Sequence, residues 1–292
     1  MQNKPLVSII VNCYNGEKYL NEAITSVFEQ TYQHWELLIW DNRSTDNTAK
    51  ICASFTDLRF KYILAPNHTN LGMARKEAVK EASGTWVCFL DCDDLWHPKK
   101  LERQLKYIEA FPDINIIYCQ TKYLFEGALE STWAQNLHKS SARDETLKPK
   151  NIGFNSLLYK NYIALVSALF YKEAYDSVGG IDASLSQAED YDLILKLAKI
   201  GSVYLVEETL CYYRIHGRNV TQSQLQLDHQ ECIKILNNFL PDAAVSKAID
   251  SRNAKFALNL LRVGKMREAF GYSSITKMAL VLSYYISGLI AR

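Results

Sequence analysis

The sequence contains no pair of cysteines at the C-x-x-C spacing that zinc sites use. Its seven cysteines are an odd number and are scattered along the chain, at positions 13, 52, 88, 92, 119, 211 and 232. This distribution excludes the common structural zinc sites. We therefore expect reduced thiols in a cytoplasmic protein.

The chain also has little net charge and no long apolar run. A formal net charge of +1 gives no general attraction to nucleic acid. The first apolar run, residues 7–11, is too short for a signal peptide. Near the end, the apolar stretch between Lys277 and Arg292 is shorter than the roughly 20 residues that a membrane span needs. A buried helix and an interfacial membrane helix both fit this tail.

The 292 residues, 48% of them apolar and 22% charged, are typical of a globular protein. In the first half, short apolar runs alternate with helical periods. The runs predict strands at 7–11, 36–40, 60–65, 86–91 and 114–119. This alternation predicts an α/β fold in which a mostly parallel sheet is flanked by helices.

Polar residues follow the predicted strands at their carboxyl ends, where open α/β sheets bind ligands. We expect them to meet in one crevice: Tyr14, Asp41, Asn67, Asp91 and Asp93. Asn15 is positioned to cap the first helix, and Gly84 to end the third.

The second half of the chain is less regular. Residues 121–160 have the character of a loop or edge region, where substrate-specific elements are common. Strand-like segments follow at 164–171 and 203–216, with an amphipathic helix at about 189–201. From about residue 221 the pattern is helical to the end.

The segment "FLDCDDLW", residues 89–96, places three carboxylates in four positions after an apolar strand. Buried together without compensation, at least one of them would stay protonated. A hard divalent cation, Mg²⁺ or Mn²⁺, would relieve the repulsion and could be shared with nucleotide phosphates. Two alternatives are a solvated acidic turn before a helix and a D-x-D-x-[TV] phosphatase, although Leu95 occupies the last position of that motif.

Several segments resemble the family 2 glycosyltransferases of the Rossmann-like GT-A fold. The segments "VSIIVNCYNG", "WDNRSTD", "NLGMARKEA" and "FLDCDD" follow the family's order and spacing, and the resemblance extends from residue 6 to about 220. Two departures occur. Cys13 stands where the family has Pro, and Asn42 and Arg43 stand where it has a second Asp and Gly. Asp41 keeps the first acidic position, so we interpret the change as variation.

The resemblance implies a nucleotide-sugar site built from these segments. Tyr14 would stack on the base, with Asn15 beside it, and Asp41 would accept a hydrogen bond from a base N–H. Asn70 and Arg75 would lie near the base and the phosphates.

The same resemblance implies a divalent metal, Mn²⁺ or Mg²⁺, at the acidic segment. Asp93 would bind the metal directly, Asp91 would contact the ribose or the metal, and Asp94 would position the sugar or support the site. His216, in "YYRIHGRN", would be a further metal ligand, and Arg214 and Arg218 would pair with the diphosphate.

A second acidic pair, in "AEDYDL", is similar to the family's E-D motif at a helix start. There the resemblance implies that Asp190 is the catalytic base, with Glu189 as the alternative. A helix N-terminus favours an ionised carboxylate, which also leaves open a purely capping role.

The implied activity is inverting transfer of a hexose or N-acetylhexosamine from a nucleotide-diphospho sugar, with UDP favoured. The acceptor would be a hydroxyl of a glycan or lipid-linked sugar in bacterial surface polysaccharide or lipopolysaccharide biosynthesis. Residues 1–220 would form the transferase domain, with a nucleotide-sugar half at 1–120 and an acceptor and catalytic half at 121–220. Residues 221–292 would form a helical extension whose tail docks at the inner face of a membrane.

Two other classes stay open. A nucleotidyltransferase would share the nucleotide crevice, but the first strand is not followed by a Gly-rich, basic loop. An inactive sugar-nucleotide-binding module would not need to retain Asp93 and Asp190.

Overall fold

The computed structural model describes residues 4–108, 110–111, 113–125, 149–216, 225–262, 264–274 and 278. The chain falls into two compact units, Met1–Gly153 with Tyr162–Thr221, and Phe154–Asn161 with Gln222–Arg292. The short segment Phe154–Asn161 therefore belongs with the C-terminal helices, an assignment that the sequence pattern does not indicate.

Nine strands in the described part of the first unit form one sheet. They are β1 Val7–Cys13, β2 Trp35–Asp41, β3 Phe60–Leu64, β4 Trp86–Phe89, β5 Leu95–Trp96, β6 Ile114–Phe125, β7 Lys150–Asn151, β8 Ala168–Tyr171 and β9 Ser202–Ile215. Their order is β3-β2-β1-β4-β8-β6-β9-β5, and β7 pairs with β9.

Helices flank this sheet, and others form the second unit. The first unit contains α1 Leu20–Phe28, α2 Thr48–Cys52, α3 Leu71–Lys80 and α4 Lys100–Ile108, then a 3₁₀ turn Leu165–Ser167 and helices Lys172–Ser177 and Glu189–Ile200. The second unit contains helices Phe154–Leu158, Leu225–Asn237, Ala243–Arg262 and Met266–Tyr272. The predicted α/β class and helical C-terminal region are confirmed.

The sheet is parallel where the chain alternates strand and helix, and mixed elsewhere. Strand β1 pairs in parallel with β2 and β4, and β2 pairs in parallel with β3. Strand β8 runs antiparallel to both β4 and β6, whereas β6 and β9 are parallel. A short buried apolar run such as Ala168–Tyr171 identifies a strand but carries no information on its direction.

The first helix buries the face that its sequence predicts. Leu20, Ala23, Ile24 and Val27 are each 0% exposed, because positions three and four apart share one side of a helix. This packing holds the start of α1 close to the ends of the central strands.

Two predicted helix boundaries are wrong, because the residues concerned make tertiary contacts instead. Helix α1 begins after Tyr19, while Asn15 lies in the loop before it and accepts a hydrogen bond from Thr45 N at 2.8 Å. Gly84 lies beyond the end of α3 and packs on β1. A Cβ at Gly84 would lie 2.6 Å from the backbone nitrogen of Ser8, so only glycine allows this approach.

Among the described helices, none is both long enough and apolar enough to cross a membrane. The apolar tail after Lys277 lies outside the described residues, apart from Met278.

Candidate active site

The candidate site begins at the carboxyl ends of β1 and β2, which lie side by side. Tyr14 follows β1 with 52% of its surface exposed, and its ring centroid lies 4.4 Å from that of His68. His68 is anchored in turn by a hydrogen bond between Nδ1 and the Asn42 carbonyl, 2.8 Å long. Tyr14 therefore offers an open aromatic face on a supported ring. The supporting histidine has no motif, and sequence reasoning missed it.

The loop after β1 is tied to the loop after β2. Asn15 donates its N–H to Ser44 Oγ at 2.9 Å and accepts from Thr45 N at 2.8 Å. Asn15 and Arg43 both have positive φ, at 54° and 70°. The backbone at Arg43 thus has the conformation that favours glycine, which explains why glycine suits this position of the motif.

Asp41 lies beneath this loop pair and is only 1% exposed. One of its carboxylate oxygens accepts from Ser44 N at 2.7 Å, and the other accepts from the Tyr62 hydroxyl at 2.6 Å. Burial and the bond to Asp41 raise the pKa of Tyr62, which keeps this phenol protonated. Asp41 is thus placed to fix the loop carrying Ser44.

Two other predicted residues lie at the edge of this crevice. Asn70 caps α3, since its Oδ1 accepts from Met73 N at 2.8 Å, and its Nδ2 donates to the Ala183 carbonyl at 3.2 Å. Asn67 is exposed after β3.

The three clustered carboxylates each have a different partner. Asp91 Oδ1 lies 2.8 Å from Arg75 Nη2, and Asp93 Oδ2 lies 2.8 Å from His216 Nε2. Asp94 Oδ1 accepts from Arg214 N at 2.8 Å. Each carboxylate thus has one cationic or hydrogen-bond-donating partner, from α3 or from the end of β9. These partners offset part of the mutual repulsion that the sequence predicts.

Burial leaves part of this negative charge uncompensated. Burial, and next the charge of Asp91, raise the pKa of Asp93 above its ordinary value. Burial and the charges of Asp91 and Asp93 raise the pKa of Asp94 well above its ordinary value. Within the described residues, Asp94 Oδ2 is buried without a hydrogen-bond partner. A cation beside these oxygens would stabilise their ionised forms.

The donor atoms fit a hard divalent cation. Carboxylate oxygen suits Mg²⁺ and Mn²⁺. His216, whose Nε2 lies beside Asp93 Oδ2, adds a neutral imidazole, which is a common metal ligand. The described residues hold no group of three or more His, Cys, Asp or Glu side chains already arranged around one point.

Arg214 is buried and holds the acidic turn. Its Nε donates to the Asp93 carbonyl at 2.8 Å, and its Nη2 lies 2.7 Å from Glu22 Oε2 on α1. The guanidinium carbon lies 4.4 Å from the Tyr19 ring centroid, and His216 stacks on the same ring at 5.2 Å.

Tyr19 thus contacts both Arg214 on β9 and His216 just after it, and Glu22 pairs with Arg214, yet sequence reasoning missed Tyr19 and Glu22. Their spacing of three residues, which puts them on one side of the start of α1, was the available signal. Arg218 lies outside the described residues.

The acidic pair lies at the start of the Glu189–Ile200 helix, as the sequence predicts, but its two members differ. Glu189 is 6% exposed, and its Oε1 lies 2.7 Å from Arg75 Nη1. Asp190 is partly exposed, and its Oδ1 accepts from Tyr191 N at 2.6 Å.

Arg75 joins this helix to the acidic segment. Burial opposes its charge, but Asp91, Glu189 and Asp190 outweigh burial and raise the pKa of Arg75. Arg75 is therefore a permanent cation among three carboxylates.

Comparisons with known proteins point to one family. Residues 8–171 match the model of the family described as Glycosyl transferase family 2. An uncharacterised glycosyltransferase of Rickettsia typhi is 31% identical over 233 residues, which cover 78% of this chain and 70% of that protein.

A second relative and one solved structure cover nearly the whole chain. The Escherichia coli protein WfgD, a UDP-Glc:alpha-D-GlcNAc-diphosphoundecaprenol beta-1,3-glucosyltransferase, is 27% identical over 273 residues, 92% of this chain and 97% of WfgD. The mannosyltransferase PcManGT from Pyrobaculum calidifontis, solved with GDP-Man and Mn²⁺, has a TM-score of 0.66 at 17% identity, covering 99% of this chain and 81% of PcManGT. The structural likeness shows the GT-A fold. The family match over residues 8–171, with the 31% identical relative of Rickettsia typhi, identifies the chain as a member of glycosyltransferase family 2.

Proposed function

We propose that this glycosyltransferase moves a hexosyl or N-acetylhexosaminyl group from a UDP-sugar to a hydroxyl of a glycan or lipid-linked acceptor, with inversion at the anomeric carbon. The observation that supports this proposal is the ion-pair chain Asp91–Arg75–Glu189, which links the helix start that carries Asp190 to the acidic segment that carries Asp93. A candidate base and a candidate diphosphate site thus meet within one unit.

In the proposed reaction Asp190 accepts the proton of the acceptor hydroxyl. The hydroxyl oxygen then bonds to the anomeric carbon while the bond from that carbon to the diphosphate oxygen breaks. Asp190 suits this role because it is partly exposed and lies at a helix N-terminus, which favours the ionised carboxylate. Attack opposite the leaving group inverts the configuration.

Asp93 and His216 would hold Mn²⁺ or Mg²⁺, with Asp91 and Asp94 beside them. When bound, the cation would neutralise charge on the departing diphosphate. This assignment is supported by the raised pKa values of Asp93 and Asp94, which burial and neighbouring negative charge cause. It is also supported by the Mn²⁺ in the structure of PcManGT.

The nucleotide would lie between this turn and Tyr14. The exposed Tyr14 ring offers a stacking surface for the base, and Asn15 and Asp41 hold the adjoining loop through Ser44 and Thr45. Arg214 lies near the diphosphate position but is already bonded to Glu22 and Asp93, so we assign it the role of shaping the turn.

The proposed acceptor is a glycan or a lipid-linked sugar used in building surface polysaccharides. WfgD, which aligns over 92% of this chain, acts on a diphosphoundecaprenol-linked sugar, and this supports a lipid-linked acceptor here. Catalysis would take place in the cytoplasm, with peripheral contact at the inner face of the membrane.

The test is release of nucleoside diphosphate from UDP-glucose and UDP-GlcNAc, measured with Mn²⁺ and with EDTA. We expect slow UDP release that requires the metal, and a loss of about 100-fold or more in Asp190→Asn. Release of the sugar 1-phosphate, with the uridylyl group transferred, would instead indicate nucleotidyl transfer. Binding of the sugar nucleotide with no turnover, even with glycan acceptors supplied, would indicate a binding module.

A further inference from the structure

We infer that Glu189 is a positioning residue, which acts through Arg75 to hold Asp190, the proposed base, relative to the acidic segment. The inference rests on the proposed function and gives a separate role to Glu189, which the sequence pattern leaves only as the alternative base.

Glu189 has the geometry of a structural anion. It is 6% exposed and lies 2.7 Å from a guanidinium nitrogen, so it does not face the solvent from which an acceptor arrives. A general base must reach the hydroxyl proton within hydrogen-bonding distance. Consecutive residues of a helix point about 100° apart, so the inward direction of Glu189 turns Asp190 toward the partly open side.

The second terminal nitrogen of Arg75 connects Glu189 to Asp91, in the part of the site proposed to bind the sugar nucleotide. Arg75 Nη2 lies 2.8 Å from Asp91 Oδ1, while Nη1 lies 2.7 Å from Glu189 Oε1. A guanidinium is rigid and planar, so the two nitrogens fix the separation of the two carboxylates. The first turn of the Glu189–Ile200 helix, and with it Asp190, is thereby held relative to the end of β4.

This connection matters because catalysis depends on the placement of reacting groups to within about 1 Å. Asp190 would receive its position from Glu189, and Asp91 from the same cation. Loss of Glu189 should then lower kcat by displacing these groups, without removing any group that touches the reactants.

The experiment is a double-mutant cycle on kcat for metal-dependent UDP release, using the UDP-sugar that the wild type cleaves faster. The variants are Glu189→Gln, Arg75→Met and the double variant, with Asp190→Asn as the reference for loss of the base. Glu77→Gln is the matched control, because Glu77 lies on the same helix as Arg75, α3, but pairs with the exposed Lys80.

We expect Glu189→Gln to lower kcat by about 10- to 100-fold, the usual effect of losing a group that orients a ligand-bearing side chain. The Michaelis constant should change less than kcat, as expected when transition-state interactions are lost. In the Arg75→Met background, Glu189→Gln should change kcat by less than about twofold. Arg75→Lys replaces Arg75→Met if the latter does not fold, since one ammonium lacks the forked geometry.

If Glu189→Gln lowers kcat by the same factor in the Arg75→Met background as in the wild type, the inference is overturned. That result would indicate that Glu189 is itself the base. A lower melting temperature with unchanged kcat would also overturn it, because the role would then be structural. Wild-type protein that releases no UDP would contradict the proposed function instead, so the two failures are distinguishable.

Discussion

Replacing Arg75 by Met should destabilise the protein strongly, because it leaves a buried carboxylate without its cation. The side chain of Arg75 is 7% exposed and that of Glu189 is 8% exposed, so their ion pair is shielded from water. Removing one partner of such a pair costs about 3–5 kcal/mol. The side chain of Asp91 is 35% exposed, and loss of its pair adds less than about 1 kcal/mol.

The expected loss is therefore about 3–5 kcal/mol, or a fall in melting temperature of about 6–20 °C at roughly 2–4 °C per kcal/mol. Thermal unfolding should be measured without nucleotide or metal, since a ligand that binds the folded state would mask the change. Lys80→Met, which removes an exposed ion pair with Glu77, is the control and should cost less than about 1 kcal/mol.

The double variant Arg75→Met/Glu189→Met separates the charge effect from packing. Replacing both partners of a buried pair by apolar residues is often neutral, so we expect the double variant to recover at least about 2 kcal/mol over Arg75→Met. UDP release should stay impaired, because the connection to Asp91 is still missing. If Arg75→Met melts within about 1 °C of the wild type, or the double variant is less stable than the single one, this electrostatic reasoning is wrong.

Three further variants test separate features of the structure. Glu22→Gln should raise the Mn²⁺ concentration needed for half-maximal UDP release by about 10-fold, because it frees Arg214 from α1 and loosens the turn of Asp93. The control is Glu81→Gln, which removes an exposed ion pair with Lys61 and should leave that Mn²⁺ concentration unchanged. Arg43→Gly should raise the free energy of unfolding by about 1 kcal/mol in denaturant titrations, because φ is 70° there, and Arg43→Ala should give no such gain. Burial lowers the pKa of His229, whose ring stacks on that of Phe256 with the centroids 4.1 Å apart. As the pH falls below about 6.5, this histidine is therefore protonated in the unfolded chain before it is in the folded protein, and the free energy of unfolding drops. His229→Phe should therefore lose less melting temperature than the wild type between pH 7.5 and 5, and an equal loss would contradict this cause.

The strands of the first half and the positions of the site residues were predictable, because both depend on local patterns. Continuous apolar runs such as Val7–Cys13 identify buried strands, and parallel strands bring residues at their carboxyl ends to one rim. The motif containing Asp91, Asp93 and Asp94 could therefore be placed before any partner was known.

The partners themselves could not be predicted, because they are far apart in the chain. Glu22 and Arg214 are separated by 192 residues, and Arg75 and Glu189 by 114. Local capping rules also failed where tertiary contacts compete for the same side chain, as at Asn15, which binds Thr45. The direction of β8 and the placement of Phe154–Asn161 in the second unit depend on the packing of the whole chain.

The most direct test of the proposed site is calorimetric titration of UDP into the protein with Mn²⁺ and with EDTA, for the wild type and for Asp93→Asn. The account predicts that Mn²⁺ strengthens UDP binding to the wild type by about 10-fold or more, and that Asp93→Asn removes this dependence while its melting temperature without ligand stays close to that of the wild type. Equal UDP affinity with and without Mn²⁺ in the wild type, or an unchanged Mn²⁺ effect in Asp93→Asn, would contradict it.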